Sequence, residues 1–339
     1  MKNNFHTCLT KYLTIYLPKQ RGKSPETIKS YATAFTLFFM FLETKGIRPN
    51  KVTFDKITNL TVMEFGNWLE DSKGRNNKAI TRNLRIQAIK SFYTYVMAFF
   101  PSYAAIALPI TQLKEKTIQE VIPNHLSEKE IRLLFQQPNT RQKHGVRDLT
   151  LLNFIYETGL RVSEVININI CDITWDEYPK VTVMGKGRKQ HIVMIPNDTY
   201  DLIVKYLRIY HISQESSGYL FTNPSGNKIT RQGINYILKK YQLKAKNIEP
   251  KLFDPIITVH GLRHSKSFHL LNNGVDLIYI RDFLNHSSVK TTERYARTSP
   301  ELVNKAIIKH ADKHNAKRND IYEEKTKIEL IELLETLKK

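Results

Sequence analysis

Cysteine is nearly missing from this 339-residue chain, which has only Cys8 and Cys171. Two cysteines so far apart exclude a disulfide framework and any CxxC zinc motif, and they fit a reducing cytoplasm. Acidic residues are the minority as well, and no cluster of them suggests a magnesium or calcium site, so no metal is expected. A long apolar run is also lacking. The nearest thing to one, residues 91–110, has no charge, but Pro101 and Pro109 interrupt it. Tyr93, Thr94, Tyr95, Ser102 and Tyr103 would be costly in lipid. This stretch therefore predicts a buried helix running into an extended linker, with no membrane partner. The first ten residues carry Lys2 and His6 without an apolar segment, which is not the pattern of a secretory signal.

What is abundant is positive charge. Against 32 Asp and Glu stand 52 Lys and Arg, a formal net charge of +20. An excess of that size points to a polyanionic partner, and nucleic acid is the usual one. Hydrophobic content of 41% is ample for packed interiors, and the length suits two domains.

Helix punctuation divides the chain. Ser24-Pro25-Glu26 is a helix start, with a serine cap, proline at the first helical position and an acid at the positive dipole end. The helix runs through Phe35, Phe38 and Leu42 until Gly46 stops it. Further helices are predicted over 60–71 and 76–98, the latter with Ile80, Leu84, Ala88, Phe92 and Tyr95 as its core stripe. Lys78, Arg82, Arg85 and Lys90 fall on its other faces and read equally as a solvated face or as candidate phosphate contacts. The stretch from Pro109 to Pro123 shows no period and reads as an exposed linker. Leu126-Ser127-Glu128-Lys129-Glu130-Ile131 is then a complete capping box with a hydrophobic staple, which opens a new domain. A helix over 147–157 is closed by Gly159. Val181, Val183, Ile192 and Met194 alternate around a GKGRK turn as a β-hairpin. Helices follow near 198–210, 230–242, 260–272 and 276–283. The expected division is a helical domain over 1–112, a linker over 113–126, a second domain over 127–315 and a terminal helix over 316–339. The fold class is mainly α, with a small β-hairpin in an α+β second domain.

Five short motifs carry the chemistry: Arg161-Val-Ser-Glu164, Gly185-Lys-Gly-Arg-Lys189, His260-Gly-Leu-Arg263, Leu284-Asn-His-Ser287 and Arg294-Tyr295. His260 and Arg263, three apart on a helix, share one face and can approach one phosphate together. Arg161 follows the Gly159 turn at the start of a short helix, where backbone N–H groups also favour an anion. Two guanidiniums can grip non-bridging phosphate oxygens in bidentate fashion, as a lysine cannot. Lys186, at the tip of the hairpin turn beside Arg188 and Lys189, could reach a groove or protonate a leaving oxygen. Alone, it reads better as an ordinary turn lysine. His286 lies at a helix end, where caps and core histidines are common. Tyr295 is one of 17 tyrosines, set apart by standing nine residues after His286.

Taken in order, these motifs resemble those of the tyrosine recombinase (phage integrase) family, in its Xer-like or transposon-type form. The similarity spans nearly the whole chain, with 24–110 resembling the helical, SAM-like core-binding domain and 127–300 the catalytic domain. The resemblance implies a site-specific recombinase that cuts DNA through a 3′-phosphotyrosyl link and a 5′-hydroxyl, without metal, ATP or other cofactor. It implies Tyr295 as nucleophile, Arg161 and Arg263 on the scissile phosphate, and Lys186 as general acid. It also implies His260 in proton transfer, His286 as a phosphate hydrogen-bond donor, and Glu164 orienting its neighbours. Arg188 and Lys189 join Lys78, Arg82, Arg85 and Lys90 as DNA contacts. Implied partners are duplex DNA with inverted half-sites and copies of the same chain, a dimer per site and a tetramer in the synapse, in a bacterial cytoplasm at the nucleoid. Asn285 departs from the pattern where glycine is frequent, and Gly261 stands where a larger residue is frequent.

Two other readings share parts of this inventory. A type IB-like topoisomerase would relax any supercoiled plasmid, whereas a recombinase joins specific sites. A silent DNA-binding protein would form no covalent adduct. Little room ahead of residue 20 for an arm-type domain favours a simple recombination module. From Asp320 to Lys338, after a polar stretch, Ile321, Ile328, Ile331, Leu334 and Leu337 fall near helical spacing. That apolar stripe folds back on its own domain or docks on a neighbouring subunit.

Overall fold

The computed structural model describes residues 4–72, 75–118, 123–185 and 190–285. Lys186, Arg188, Lys189, His286, Tyr295 and the terminal helix lie outside the described residues. The chain forms two compact units, Met1–Glu120 and Val121–Lys339.

The first unit is helical. Helix α1 (Phe5–Lys11) continues into a wider π-helical stretch over Tyr12–Gln20, and α2 (Pro25–Thr44) starts at the Ser24 cap. Helices α3 (Asn59–Glu70), α4 (Ala79–Phe99) and α5 (Ala104–Thr111) complete it. Its core is aromatic: Phe92 lies within 5.3–5.4 Å, centroid to centroid, of Phe5, Phe35 and Tyr12. The N-terminal helix was not anticipated, although Phe5, Cys8, Leu9 and Tyr12 fall at i, i+3, i+4 and i+7, the spacing of one helix face. All four are buried.

Two expectations for this unit change. On α4 Ala88, Phe92 and Tyr95 are buried as expected, with Ile86, Ile89, Tyr93 and Val96 beside them, whereas Ile80 and Leu84 are 58% and 64% exposed. The apolar positions of the first two turns simply face away from the core. Nor does an exposed linker begin at Pro109. That proline sits inside α5, whose Ala107 and Ile110 are fully buried and which packs on α4. The chain stays strapped to this unit as far as Lys116. The Lys116 carbonyl accepts from Asn83 Nδ2 at 2.8 Å, and its ammonium pairs with Glu70 at 3.0 Å.

In the second unit Ser127 caps α6 (Glu128–Phe135) with the expected capping box, and Leu126 and Ile131 are buried beside it. Helix α7 (Lys143–Thr158) is buried almost all round and packs against α9 (Asn197–Tyr210) and α11 (Val259–Asn272). Buried Asp148 on α7 accepts from Arg147 at 2.7 Å and from Tyr241 at 2.9 Å, tying α7 to α10 (Arg231–Ile248). Between α7 and α9 lie the short α8 (Val162–Val165) and a three-stranded antiparallel sheet in the order β1 (Ile173–Thr174), β2 (Lys180–Met184), β3 (Gln190–Met194). Helix α12 (Leu277–Phe283) follows α11.

The hairpin corrects the expected alternation. Val181 pairs with Val193 and Val183 with His191, and Val181, Val183, Val193 and Ile195 are the buried residues. Ile192 and Met194 are more than half exposed. The inward face of β3 thus carries His191 and Val193, continued by Ile195 just past the strand, because strand side chains alternate with period two.

Candidate active site

Helix α7 ends where Gly159 takes a left-handed conformation, φ +59°. A Cβ there would stand 2.7 Å from the Phe283 ring, so glycine is required by both backbone and space. The turn delivers Arg161 to the N-cap of α8. Glu164, buried at the third helical position, folds back on it. Its carboxylate accepts from the Arg161 backbone N–H at 2.7 Å and from the guanidinium Nη1 at 3.0 Å. One acid therefore fixes both the main chain and the side chain of Arg161, which explains the spacing of the first motif.

Helix α11 supplies the next two groups. His260 and Arg263 share a face, and the helix start is held by Asn235 Oδ1, which accepts from the Val259 N–H at 3.1 Å. Gly261 is required here too, since a Cβ would meet Ile257 at 2.7 Å. Arg263 is 2% exposed. Its Nη1 donates to the Gly159 carbonyl and its Nη2 to the Leu284 carbonyl, each at 2.5 Å. Arg161 Nη2 donates to the next carbonyl along, that of Asn285, at 3.1 Å. Two guanidiniums from distant parts of the chain thus hold consecutive carbonyls at the end of α12.

Arg161, Ser163, His260 and Arg263 line one cleft of about 380 Å³. Arg231 and Asn235 from α10 line it as well, and sequence reasoning passed both over. Burial and then the charges of Arg263 and Arg161 push the His260 pKa below the ordinary histidine value. Near pH 7 its imidazole is neutral and able to accept a proton, while the guanidiniums offer positive charge to an anion. His260 and His264 stand four apart with ring centroids 4.2 Å from one another, a spacing that a metal pair can use. Among the described residues no group of three or more His, Cys, Asp or Glu could hold an ion.

His191 is a second site group that went unnoticed. Its Nδ1 lies 2.9 Å from the Asn285 side-chain amide nitrogen. Burial pushes its pKa down, Glu164 raises it, and Arg161 and Arg263 lower it, so the ring stands amid the cluster. The strand alternation that places it there was legible, had Val193 rather than Ile192 been taken as the inward residue.

Of the candidate phosphate contacts in the first unit, Lys78 is exposed at the N-cap of α4. The other three have partners inside the unit. Arg82 stands 3.6 Å from Glu70, Arg85 donates to the Ser30 carbonyl at 2.9 Å, and Lys90 donates to the Leu113 carbonyl at 2.5 Å. Lys90 also borders a cleft with Arg21 and Lys23, which adds two basic groups to that face. Among the described residues no helix is long and apolar enough to cross a membrane.

This arrangement has clear relatives. The sequence profile of the Phage integrase family matches residues 124–301, and that of the phage integrase N-terminal SAM-like domain matches 10–98. A tyrosine recombinase XerD of Staphylococcus epidermidis is 31% identical over 304 residues, 88% of this chain and 97% of the relative. A putative integrase/recombinase of Sinorhizobium fredii is 30% identical over 294 residues, 86% of this chain and 87% of the relative. Among solved structures, the XerH site-specific recombinase bound to a palindromic difH substrate has a similar fold. It matches with a TM-score of 0.66 at 20% identity, covering 85% of this chain and 80% of that one. The family profiles and these relatives define the class as DNA strand-exchange enzymes of the tyrosine type. The chain belongs to the phage integrase family, as a tyrosine recombinase.

Proposed function

We propose that this recombinase cuts and rejoins duplex DNA at specific sites with Tyr295 as the nucleophile. The phenol oxygen attacks the scissile phosphorus, the bond to the 5′ oxygen breaks, and a 3′-phosphotyrosyl link forms. Lys186 donates the proton that the departing 5′ oxygen takes up, and His260, neutral near pH 7, takes the phenol proton. Arg161 and Arg263 stabilise the charge that accumulates on the non-bridging oxygens, and His286 adds a hydrogen bond. Glu164 holds Arg161. Each step exchanges one phosphate ester for another, so the bond energy is conserved and no cofactor is called for.

One observation supports this reading above the others: two guanidiniums and a neutral histidine face a single cleft in a chain of net charge +20. The exposed Lys78 and the basic face around Lys90 would hold the DNA backbone together with Arg82 and Arg85, and Arg188 and Lys189 would be contacts of the second unit. The working species would be a dimer on inverted half-sites and a tetramer at synapsis, in the bacterial cytoplasm. In this reading the helical core-binding domain is 1–112, the catalytic domain 127–315, and the helix at 316–339 docks on a neighbouring subunit. The test is to trap covalent protein–DNA adducts and sequence the attached DNA. Adducts at one recurring sequence, lost with Tyr295→Phe, support the proposal. Relaxation of any supercoiled plasmid, or no adduct at all, overturns it.

A further inference from the structure

Residues 284–285 are gripped from three directions. Arg263 holds the Leu284 carbonyl, Arg161 holds the Asn285 carbonyl, and the Asn285 side chain reaches across to His191 on β3. The first two grips come from the phosphate-clamp arginines themselves. The third comes from a strand that neither arginine touches through any of these contacts. Asn285 adopts φ +47°, a left-handed conformation that asparagine tolerates better than most residues. That turn directs the backbone carbonyl to Arg161 while the amide side chain meets the imidazole.

The chemistry of the contact defines the state of the ring. A carboxamide nitrogen only donates, so His191 Nδ1 accepts, and the imidazole is neutral with its proton on Nε2. Arg161 and Arg263 disfavour a second proton there, and Glu164, already committed to Arg161, is the acid that opposes them. Protonation at Nδ1 would set an N–H against an N–H and break the contact as it stands.

We propose that His191 is a positioning residue of the recombination reaction: through Asn285 it pins the end of α12 against β3, and so keeps Arg161 and Arg263 in their working places. The same contact joins the hairpin that bears the Lys186 turn to the segment that leads directly into His286. His191 needs no contact with DNA for this. The inference rests on the phosphate-clamp role given above to the two arginines.

The experiment uses the full chain and a nicked duplex carrying the site recovered from trapped adducts, with single-turnover cleavage, DNA affinity and thermal midpoint all measured. His191→Phe removes the acceptor but keeps a ring on the inward face of β3, and Asn285→Gly removes the amide while easing the left-handed backbone. Each should slow cleavage by about 10- to 100-fold, the scale of a misplaced reacting group, with DNA affinity within about threefold. The double variant should be no slower than the slower single one, because both remove one contact. His191→Asn keeps an acceptor at the δ position and does not titrate. It should cleave within about threefold of wild type near pH 7.5, and its rate relative to wild type should rise below about pH 6.5. That ratio cancels the titration of His260, which both proteins share.

Full cleavage by both His191→Phe and Asn285→Gly would overturn the inference. So would additive losses in the double variant, or a pH-independent ratio for His191→Asn. Arg161→Ala is the control. If it cleaves normally, the clamp reading itself fails. If it is slow while the His191 variants match wild type, only the present inference fails.

Discussion

Arg263 and Gly159, 104 positions apart, meet through a hydrogen bond from the guanidinium Nη1 to the glycine carbonyl. The bond joins α11 to the turn that presents Arg161. The second arginine therefore serves the fold as well as the cleft, and the two arginines are expected to respond differently to substitution.

Alanine at Arg161 or Arg263 should each slow cleavage by roughly 10²–10³ or more, by analogy with loss of one oxyanion donor, and lysine should rescue poorly. Both should lower stability, Arg161→Ala by leaving the buried Glu164 carboxylate without its guanidinium partner, and Arg263→Ala by more, about 1–3 kcal/mol for each buried carbonyl stranded at Gly159 and Leu284. Denaturant unfolding beside single-turnover kinetics separates the two effects. Equal stability of both variants would contradict the geometry.

Gly159→Ala should cost about 2–4 kcal/mol, from the left-handed backbone together with the crowding against Phe283. Cleavage should fall as well, because the displaced ring sits beside Leu284. A variant as stable as wild type would show that the turn can relax.

Glu164→Ala should cost roughly 1.5–3 kcal/mol, the scale of hydrogen bonds to a charged group, because one buried carboxylate caps α8 and holds the Arg161 side chain. Glu164→Gln retains an acceptor for the backbone and should lose less stability than alanine while still slowing cleavage. The comparison fails if both variants match wild type in kinetics.

Acid should destabilise the fold. His191, His260 and His269 all titrate below the ordinary histidine value, with burial the first cause in each. Between the folded and unfolded values the unfolded chain binds more protons, so stability rises with pH through that window. It is fully present above about pH 6.5 and is lost as pH falls through the lowered values. The thermal midpoint should thus be lower at pH 5.5 than at pH 7.5, conditions placed about a unit either side of that boundary. His269→Gln, which removes a ring whose Nδ1 lies 2.7 Å from the Tyr156 hydroxyl, should narrow the gap. A midpoint that rises on acidification would contradict the lowered values of these three histidines.

Salt should weaken DNA binding steeply. If the basic surface neutralises roughly 6–10 phosphates, affinity should drop by about 10³–10⁵ between about 50 and 200 mM salt. A flat dependence in a titration series would assign the charge to some other purpose.

The local parts of this protein were readable because their causes are local. The Ser24 and Ser127 caps, the Gly159 stop and the shared face of His260 and Arg263 follow from helix geometry and from hydrogen-bonding groups only a few residues apart. The first motif was readable for the same reason, since Glu164 reaches Arg161 from three positions away. The sequence also determined the family, because the order of five motifs and the basic excess are properties of the chain itself.

Tertiary structure decided the rest. Which face of β3 is buried depends on the hairpin register, and shifting by one residue exchanges His191 for Ile192. Whether Arg82, Arg85 and Lys90 face outward or bind Glu70, Ser30 and Leu113 depends on elements distant in sequence. The joining of Gly159, Arg161, His191, Arg263 and Asn285 into one network needs four segments packed at once. No spacing rule encodes it, because packing sets those distances while periodicity sets only the direction in which each side chain leaves its own helix or strand.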